Sequence, residues 1–555
     1  MRRPRRATVA RAAAAAASGL LLAVSRPPLD FGPLACVALV PLFVVWHDRR
    51  PRACAGYGFL AGAVYYSITC SWIYYFGAAA VVPFVAATAG YWALAGVTVG
   101  WLRTQRITSP WITAAVWITA DALVARFPLG GFSWGEIGYA FHNVEPARAL
   151  ASVGGLALVS YAAVAVNAFV ADLVISRRDL RPQLRAGFGI LLVLAVALAA
   201  TVTRAEPHVV ATLRVALVQG NDKDRELTDA ELAARYLPNS HFDLAKGITD
   251  PVDFIVFPES SMDADPRTDA FIHDHLATIA RLHHAWVLAN ATVDAPARGH
   301  EPTGARALNL DVMFNPDGSI QGTYAKRHLV PFGEYVPFRR FLQSWITELN
   351  KVPRDFERGS SPGLFTVDGT QIATVICFES AFGYQVRPLV RDGAGMIVVS
   401  TNNRSYRRSG NAEQHLAIAQ MRAAETGRPV LQSAISGISA VIDADGNVHD
   451  RTHLFDRSLV ETTVDATSGE TPYVRYGEWA TVAAVLVVGA AVIVAVRRRR
   501  KRSVESLTPH EMVSIESRID GYEVPTDAAG PDGETSVATG SPPIMTTDPP
   551  HRPHE

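Results

Sequence analysis

The sequence carries no surplus of charge and few thiols. Its 52 basic residues are balanced by 52 acidic ones, so no net field exists to draw nucleic acid. Four cysteines in 555 residues are too few for a disulfide scaffold. Three of them, Cys36, Cys54 and Cys70, lie in or beside apolar stretches, where none is an obvious partner for Cys377. Lysine is scarcer than its class suggests, with five positions (223, 246, 326, 351 and 501) among the 52 basic residues. Apolar side chains are abundant: 49% of the chain, with a mean hydropathy of +0.13. That is too apolar for an ordinary soluble enzyme of this size, and membrane spans are expected.

Against the roughly 20 residues that a bilayer requires, the first two hundred residues read as about seven helices. Their approximate limits are 10–25, 30–46, 54–76, 79–102, 108–125, 147–175 and 186–203, and an eighth run occupies 479–496. The first, interrupted by Arg11, also has the form of a signal peptide; it is read as a retained helix. "MRRPRR", "HDRRPR", "RTQR", "SRRDLRPQLR" and "RRRRKR" all fall on one side of this arrangement. The positive-inside rule makes that side cytoplasmic, so residues 205–478 project outward and 497–555 lie inside. The stretch from about 503, rich in Pro, Ser, Thr, Asp and Glu and poor in aromatics, is expected to be a disordered cytoplasmic tail.

Residues 205–478 have ordinary polar content and enough length for one large domain. Short β-rich runs recur: "LRVALVQG", "FIVFPES", "AWVLANATV", "LNLDVMFN", "IATVICFES", "MIVVSTNN" and "VLQSAISGISAVID". They are continuous apolar runs, which suits strands covered on both faces. Helical patterns at 269–284 and 411–427 separate them, the second closing on a glycine suited to a helix C-terminus. An α/β layered domain with a large central sheet core follows.

The strand ends carry the chemistry. Glu259 lies just past one strand, Lys326 and Glu334 share "TYAKRHLVPFGEYVPF", and Cys377 ends another strand two residues before Glu379. A thiol, an ammonium and a carboxylate at three strand exits can converge on one point, as acyl-transfer sites do. Taken singly, the cysteine could be a small buried hydrophobe and the others solvated charges. An unpartnered thiol outside the membrane is at risk of oxidation unless it is used or shielded, however, and a chain that so prefers arginine has a reason to keep a lysine.

With those residues in place, the "PES", "K…VPFGEYVP" and "CFE" segments, on an outer domain flanked by seven spans and one, resemble the apolipoprotein N-acyltransferases, a membrane branch of the nitrilase superfamily. "VALVQGN" (215–221), "GFSWGEIGYAF" (131–141) and "QMRAAETGRPVLQSAISGISAVI" (420–442) add to the likeness, which covers nearly all of residues 10–500. It implies a multi-pass helical membrane domain carrying an αββα sandwich on the outer face of the bacterial cytoplasmic membrane. It also implies a Glu259–Lys326–Cys377 triad supported by Glu334 and Glu379, beside which the residues themselves suggest the backbone N–H of Phe378 as a second oxyanion donor with Lys326. The implied reaction moves a fatty acyl chain from a phospholipid, through a cysteine thioester, to the α-amino group of a diacylglyceryl-cysteine that begins a lipoprotein. No metal or organic cofactor is required.

This chain departs from the family pattern in "TNNRSYRRSG" (401–410), in Phe378 where tyrosine is common, and in lacking a tryptophan shortly after "VQGN". Arg404, Arg407 and Arg408 are candidate phospholipid phosphate ligands, with Trp134 a further candidate lipid contact. Two other readings use the same residues. One is a membrane-tethered amidase or nitrilase-type hydrolase, against which eight spans argue. The other is a non-catalytic scaffold for a partner such as a polyprenol-phosphate mannose synthase, which an intact triad disfavours.

Overall fold

The computed structural model describes residues 6–297, 304–342, 349 and 352–505. The chain divides at Val496 into two units. Of the second, only the part up to Glu505 falls within the described residues, so the expected disorder of the tail lies outside them.

Residues 6–203 are mostly helical. They comprise α1 (Arg6–Val24), α2 (Val40–Trp46), α3 (Pro51–Thr69), α4 (Ala78–Thr104), α5 (Pro110–Val124), α6 (Glu145–Ile175) and α7 (Leu180–Thr203). Among the described residues five helical stretches are long and apolar enough to cross a membrane: Arg6–Val24, Ala80–Thr104, Glu145–Ile175, Leu180–Thr203 and Trp479–Arg502. Leu184, Leu191, Leu194, Leu198 and Val202 of α7 are exposed, as a lipid-facing helix requires and a water-facing one would not tolerate.

Three of the eight spans read from the sequence are not among these five: that at 108–125 forms a helix of only 15 residues, Pro110–Val124, and the other two are interrupted. The stretch 30–46 breaks into a 3₁₀ turn, Gly32–Cys36, and the short α2, because Pro33 and Pro41 cannot donate the helical hydrogen bonds of a continuous span. The stretch 54–76 ends its α-helix at Thr69 and continues as a 3₁₀ turn over Ser71–Phe76. Helix α6 is also broken, at Gly154 and Gly155, which frees the Leu156 N–H to donate to the Glu425 carboxylate at 2.6 Å.

Among the described residues, the following domain is built from two six-stranded sheets. One has the order β12-β1-β2-β3-β4-β5 and the other β11-β10-β9-β8-β7-β6. The first sheet comprises β1 (His208–Gln219), β2 (Phe254–Val256), β3 (Trp286–Asp294), β4 (Ala307–Phe314), β5 (Ile320–Ala325) and the returning β12 (Ser458–Ser468). The second comprises β6 (Leu364–Val367), β7 (Thr370–Ile376), β8 (Met396–Thr401), β9 (Val430–Ala434), β10 (Ala440–Ile442) and β11 (Val448–Arg451).

Helices α8 (Asp229–Ala233), α9 (Tyr236–Lys246) and α10 (Ala270–His283) precede the short α11 (Arg339–Leu342), and α12 (Gly383–Arg391), α13 (Asn411–Thr426) and α14 (Pro472–Tyr476) precede the last span, α15 (Trp479–Glu505). Leu217, Phe254 and Leu288 of one sheet pack with Ile376, Met396 and Leu431 of the other. The outer faces are covered by α9 and α10 on one side and by α12 and α13 on the other. The αββα sandwich is present, and the inner strands β2, β3, β7, β8 and β9 are covered on both faces, which accounts for continuous apolar runs in place of alternation. Fully burying a Leu or Phe side chain contributes about 1.5–3 kcal/mol, so this double layer fixes the strand ends firmly.

Both helices read from the sequence form with their expected ends. Asp269 accepts from Ile272 N–H at 2.9 Å to start α10, and Gly427 closes α13 at φ +64°, where only glycine is unstrained.

Candidate active site

The three strand exits meet. Glu259 lies three residues past β2, Lys326 immediately follows β5, and Cys377 immediately follows β7. Strands β2 and β5 are separated in their sheet by β3 and β4, and a polar row crosses that gap. Asn290 of β3 donates to Asn309 Oδ1 at 2.9 Å and to Asp311 Oδ1 at 2.8 Å. Asn309 of β4 then donates to Glu259 Oε1 at 2.7 Å and to Glu334 Oε1 at 3.1 Å. Thr374 of β7 reaches Asp311 Oδ2 at 2.6 Å from the other sheet.

Lys326, only 1% exposed, places its ammonium between two carboxylates, 2.9 Å from Glu334 Oε1 and 3.2 Å from Glu259 Oε1. Burial by itself would push the ammonium pKa down, but Glu259, Glu334 and Cys377 outweigh it and hold the pKa well above the ordinary lysine value. Lys326 is therefore a fixed cation. The second oxygen of Glu259 accepts from Asn402 N–H at 2.8 Å, and that of Glu334 from Val330 N–H at 2.8 Å.

Cys377 opens a 3₁₀ turn, Cys377–Ala381, with φ +55°. A side-chain-bearing residue is strained there, and such strain persists only where the surroundings over-determine it. Glu379 supplies that constraint. Wholly buried, it accepts from Ile376 N–H and Tyr324 O–H at 2.8 Å each, and from Arg327 and His328 N–H at 2.7 and 2.8 Å. One carboxylate thus ties the end of β7 to the end of β5, and so the thiol to the ammonium. Burial, and then the Glu259 charge, push the Cys377 thiol pKa up to about 12, against the opposing pull of Lys326 and of hydrogen bonds from Thr401 and Asn402. A thiol so placed keeps its proton until a base removes it.

Phe378 faces the membrane helices. Its ring lies 6.2 Å from Trp134 and 6.1 Å from Phe132, both in the connection between α5 and α6. Trp134 is itself buried and donates its indole N–H to Gln414 Oε1 at 2.8 Å, so it offers the site a ring face.

Each member of the arginine cluster is engaged by the acidic loop after β1. Arg404 meets Glu226 at 3.1 Å and Asp222 at 3.5 Å. Arg407 and Arg408 share Asp224, at 3.3 and 3.5 Å. Between them Tyr406 packs its ring 4.9 Å from Trp72, at the end of the third span.

Several residues at the site were not singled out from the sequence: Asn309, Thr401, Tyr406 and His415. The signal for the first was "LNLD", two polar residues spaced by two inside a strand, and for the second "TNN" closing one.

Residues 18–169 match the family model described as the apolipoprotein N-acyltransferase N-terminal domain, and residues 214–473 match that of the carbon-nitrogen hydrolases. The apolipoprotein N-acyltransferase of Azotobacter vinelandii is 32% identical over 88% of this chain and 95% of its own length. Those of Geobacter metallireducens and Vibrio cholerae are 29% and 27% identical over 87% and 88% of this chain and 94% and 97% of theirs. Among solved structures, Saccharomyces cerevisiae Nit3, a member of branch 10 of the nitrilase superfamily, aligns at 14% identity over 46% of this chain and 91% of its own, with a TM-score of 0.35. Both the membrane part and the sandwich are matched in order, and the relatives are matched over nearly their full length, so the chain belongs to the apolipoprotein N-acyltransferase family.

Proposed function

We propose that this protein transfers a fatty acyl chain from a phospholipid to the α-amino group of the N-terminal diacylglyceryl-cysteine of apolipoproteins, with Cys377 carrying the acyl group between them. The observation that carries this reading is the strained Cys377 turn, tied by Glu379 to the Glu259–Lys326 pair and backed by the aromatic rings of a membrane connection. Such a thiol can be reached by a substrate that stays in lipid.

In the first half-reaction Glu259 takes the thiol proton and the sulfur attacks the ester carbonyl. The oxyanion is met by the Lys326 ammonium and the Phe378 N–H. The ester C–O bond then breaks, Glu259 returns the proton to the departing alcohol, and a lysophospholipid leaves behind a thioester. In the second half-reaction Glu259 deprotonates the attacking amine, the C–S bond breaks as the amide forms, and the proton returns to the sulfur. Glu334 holds Lys326 in place, and Glu379 holds Cys377.

The balance of basic clusters supports the outer face of the cytoplasmic membrane as the position of 205–478, with 497–555 inside. The arginine loop contributes to lipid binding only where a phosphate displaces its acidic partners. None of the relatives named above is a polyprenol-phosphate mannose synthase, and no such partner enters the mechanism.

Purified protein incubated with phospholipid alone should gain the mass of one acyl chain, lost on treatment with hydroxylamine. A diacylglyceryl-cysteine peptide should discharge it with formation of an amide, whereas water should do so slowly. Protein that stays unmodified with every phospholipid class, together with a Cys377→Ser variant that still N-acylates lipoproteins in cells, would refute the reading.

A further inference from the structure

Strands β7 and β8 run parallel, with Ile376 opposite Ser400. One residue further along, the register brings Cys377 beside Thr401, the last residue of β8. The Thr401 hydroxyl stands 3.3 Å from Cys377 Sγ, and neither residue is more than 9% exposed. Glu259, Glu334 and the Lys326 ammonium approach the thiol from the other sheet, and Glu259 meets this one at the neighbouring Asn402 N–H, 2.8 Å away.

Behind Thr401 lies His415, on α13 and fully buried. Its Nε2 faces the Cys377 carbonyl at 3.2 Å and Ser380 Oγ at 2.9 Å. A carbonyl only accepts, so Nε2 carries the hydrogen. Burial pushes the ring pKa down to about 4, so the imidazole is neutral and Nδ1 is an acceptor. Two donors face Nδ1: Thr401 Oγ1 at 3.1 Å and Asn403 Nδ2 at 3.3 Å.

The Thr401 hydroxyl therefore has one hydrogen and two nearer acceptors, Sγ and Nδ1, with Asn403 Oδ1 a third at 3.4 Å. The charge on sulfur decides between them. A neutral thiol or thioester is a poor acceptor, and the hydrogen rests on Nδ1; a thiolate is a strong one, and a rotation about χ1 or the C–O bond brings the hydrogen to sulfur. Because His415 gives the hydroxyl a partner in the uncharged states, the buried group is never left unsatisfied.

We propose that Thr401 is a catalytic residue of this site, a switchable hydrogen-bond donor to the Cys377 thiolate both when it attacks and when it leaves, with His415 as its positioning residue. The proposal rests on Cys377 being the acyl carrier. The need for such a donor is evident from the surroundings of the thiol. Glu259 opposes ionisation and Lys326 favours it, Glu334 and Tyr406 lie in the same electrostatic neighbourhood, and His415 contributes no charge. A thiolate appears transiently in both half-reactions, so a donor that engages only the charged form lowers both barriers without holding the thioester more tightly.

The test is the pH dependence of Cys377 alkylation by iodoacetamide on the full-length protein in detergent, read at that residue by peptide mass spectrometry. Thr401→Val keeps the shape and removes the hydroxyl. It should slow alkylation at pH 7 about tenfold, the low end for a hydrogen bond to a charged group, and move the profile about one pH unit upward. Thr401→Ser should stay within about twofold of wild type, and Thr401→Ala should reproduce the valine shift, which guards against a folding defect in either. The rate of acyl-enzyme formation should fall by the same factor with KM for phospholipid unchanged. Valine and alanine profiles that coincide with wild type would overturn the proposal. Failure of wild type to take up an acyl chain is a separate result: it would reject Cys377 as the acyl carrier, while the alkylation profiles still report whether Thr401 stabilises the thiolate.

Discussion

Replacing Lys326 by methionine separates structure from chemistry at this site. The ammonium lies 2.9 and 3.2 Å from two carboxylates in surroundings where it is 1% exposed and they are 9% or less. Methionine fills most of the volume and supplies no charge. Glu259 and Glu334 are then bridged only by Asn309, which donates to both. Removing one partner of a buried ion pair costs about 3–5 kcal/mol because the other charge is left uncompensated, and two are left here. At about 2–4 °C per kcal/mol for a domain of this size, the thermal midpoint should fall by about 10 °C. Adding Glu334→Gln removes one of the stranded charges and should restore more than half of that loss. Acylation should not follow: without the ammonium the oxyanion loses a donor, which costs about 10²–10³ in rate, and the double variant should stay as slow as the single one. The assays are thermal denaturation in detergent and single-turnover acyl-enzyme formation followed by intact mass. Lys326→Met that unfolds within about 2 °C of wild type and acylates within about threefold of its rate would refute the charge argument. Recovery of both stability and rate in the double variant would make Lys326 a structural cation only.

Buried groups of opposite sense should partly offset one another in the weakly acidic range, two carboxyls raised to about 7 against three lowered histidines, so stability should fall only gently as pH falls. Burial pushes Asp311 and Glu425 up to about 7; they keep a proton in the folded chain that the unfolded chain releases near 4, so their contribution grows as pH falls from 7. Burial pushes His241, His328 and His415 down to about 4; below about 6.5 only the unfolded chain protonates them, so stability is lost as pH falls towards 4, at about 1.4 kcal/mol per pH unit for each group. Asp311→Asn removes one compensating carboxyl, and its thermal midpoint should drop more steeply than that of wild type between pH 6.5 and 4.5; parallel curves would contradict the assignment. Reporter fusions near residue 300 and at the C-terminus should report opposite sides of the membrane, and the same side for both would overturn the span count.

The triad was legible because each member sits at a strand exit, and strand exits are marked in sequence by an apolar run that ends in a polar residue. Lys326 follows β5, whose sequence IQGTYA is no apolar run, and stood out because lysine is so scarce in this chain, whereas Glu259 and Cys377 have that signature. The strands of the sheet centres, β2, β3, β7 and β8, were legible for the same reason. Strands β5, β6, β11 and β12 were not: β11 has the burial pattern of a mostly exposed edge, and an edge strand need not be apolar. The break in the 30–46 stretch escaped because hydropathy counts side chains and is blind to the missing backbone donors at Pro33 and Pro41.

Thr401 and His415 were illegible for a different reason. Neither is unusual for its local element: threonine is a good strand residue, and a histidine on a helix is more often a satisfied core group than a functional one. They become a pair only because α13 packs on the sheet that carries β7 and β8, across 14 residues of chain that include the arginine loop. That loop shows the converse case. Three arginines within five positions stand out in sequence, and their charge suggested an anion from outside, but the structure answers them with Asp222, Asp224 and Glu226 from the end of β1. Exposed pairs of this kind are each worth about 0–1 kcal/mol, so a lipid phosphate of higher charge density can still compete for Arg407 and Arg408, which are 46% and 63% exposed. Arg404, 20% exposed and bound also to two backbone carbonyls of the acidic loop, is the most firmly anchored of the three. The residue that looked most like its neighbours in sequence therefore differs from them in its anchoring, and only the partner loop, some 180 positions away, distinguishes it.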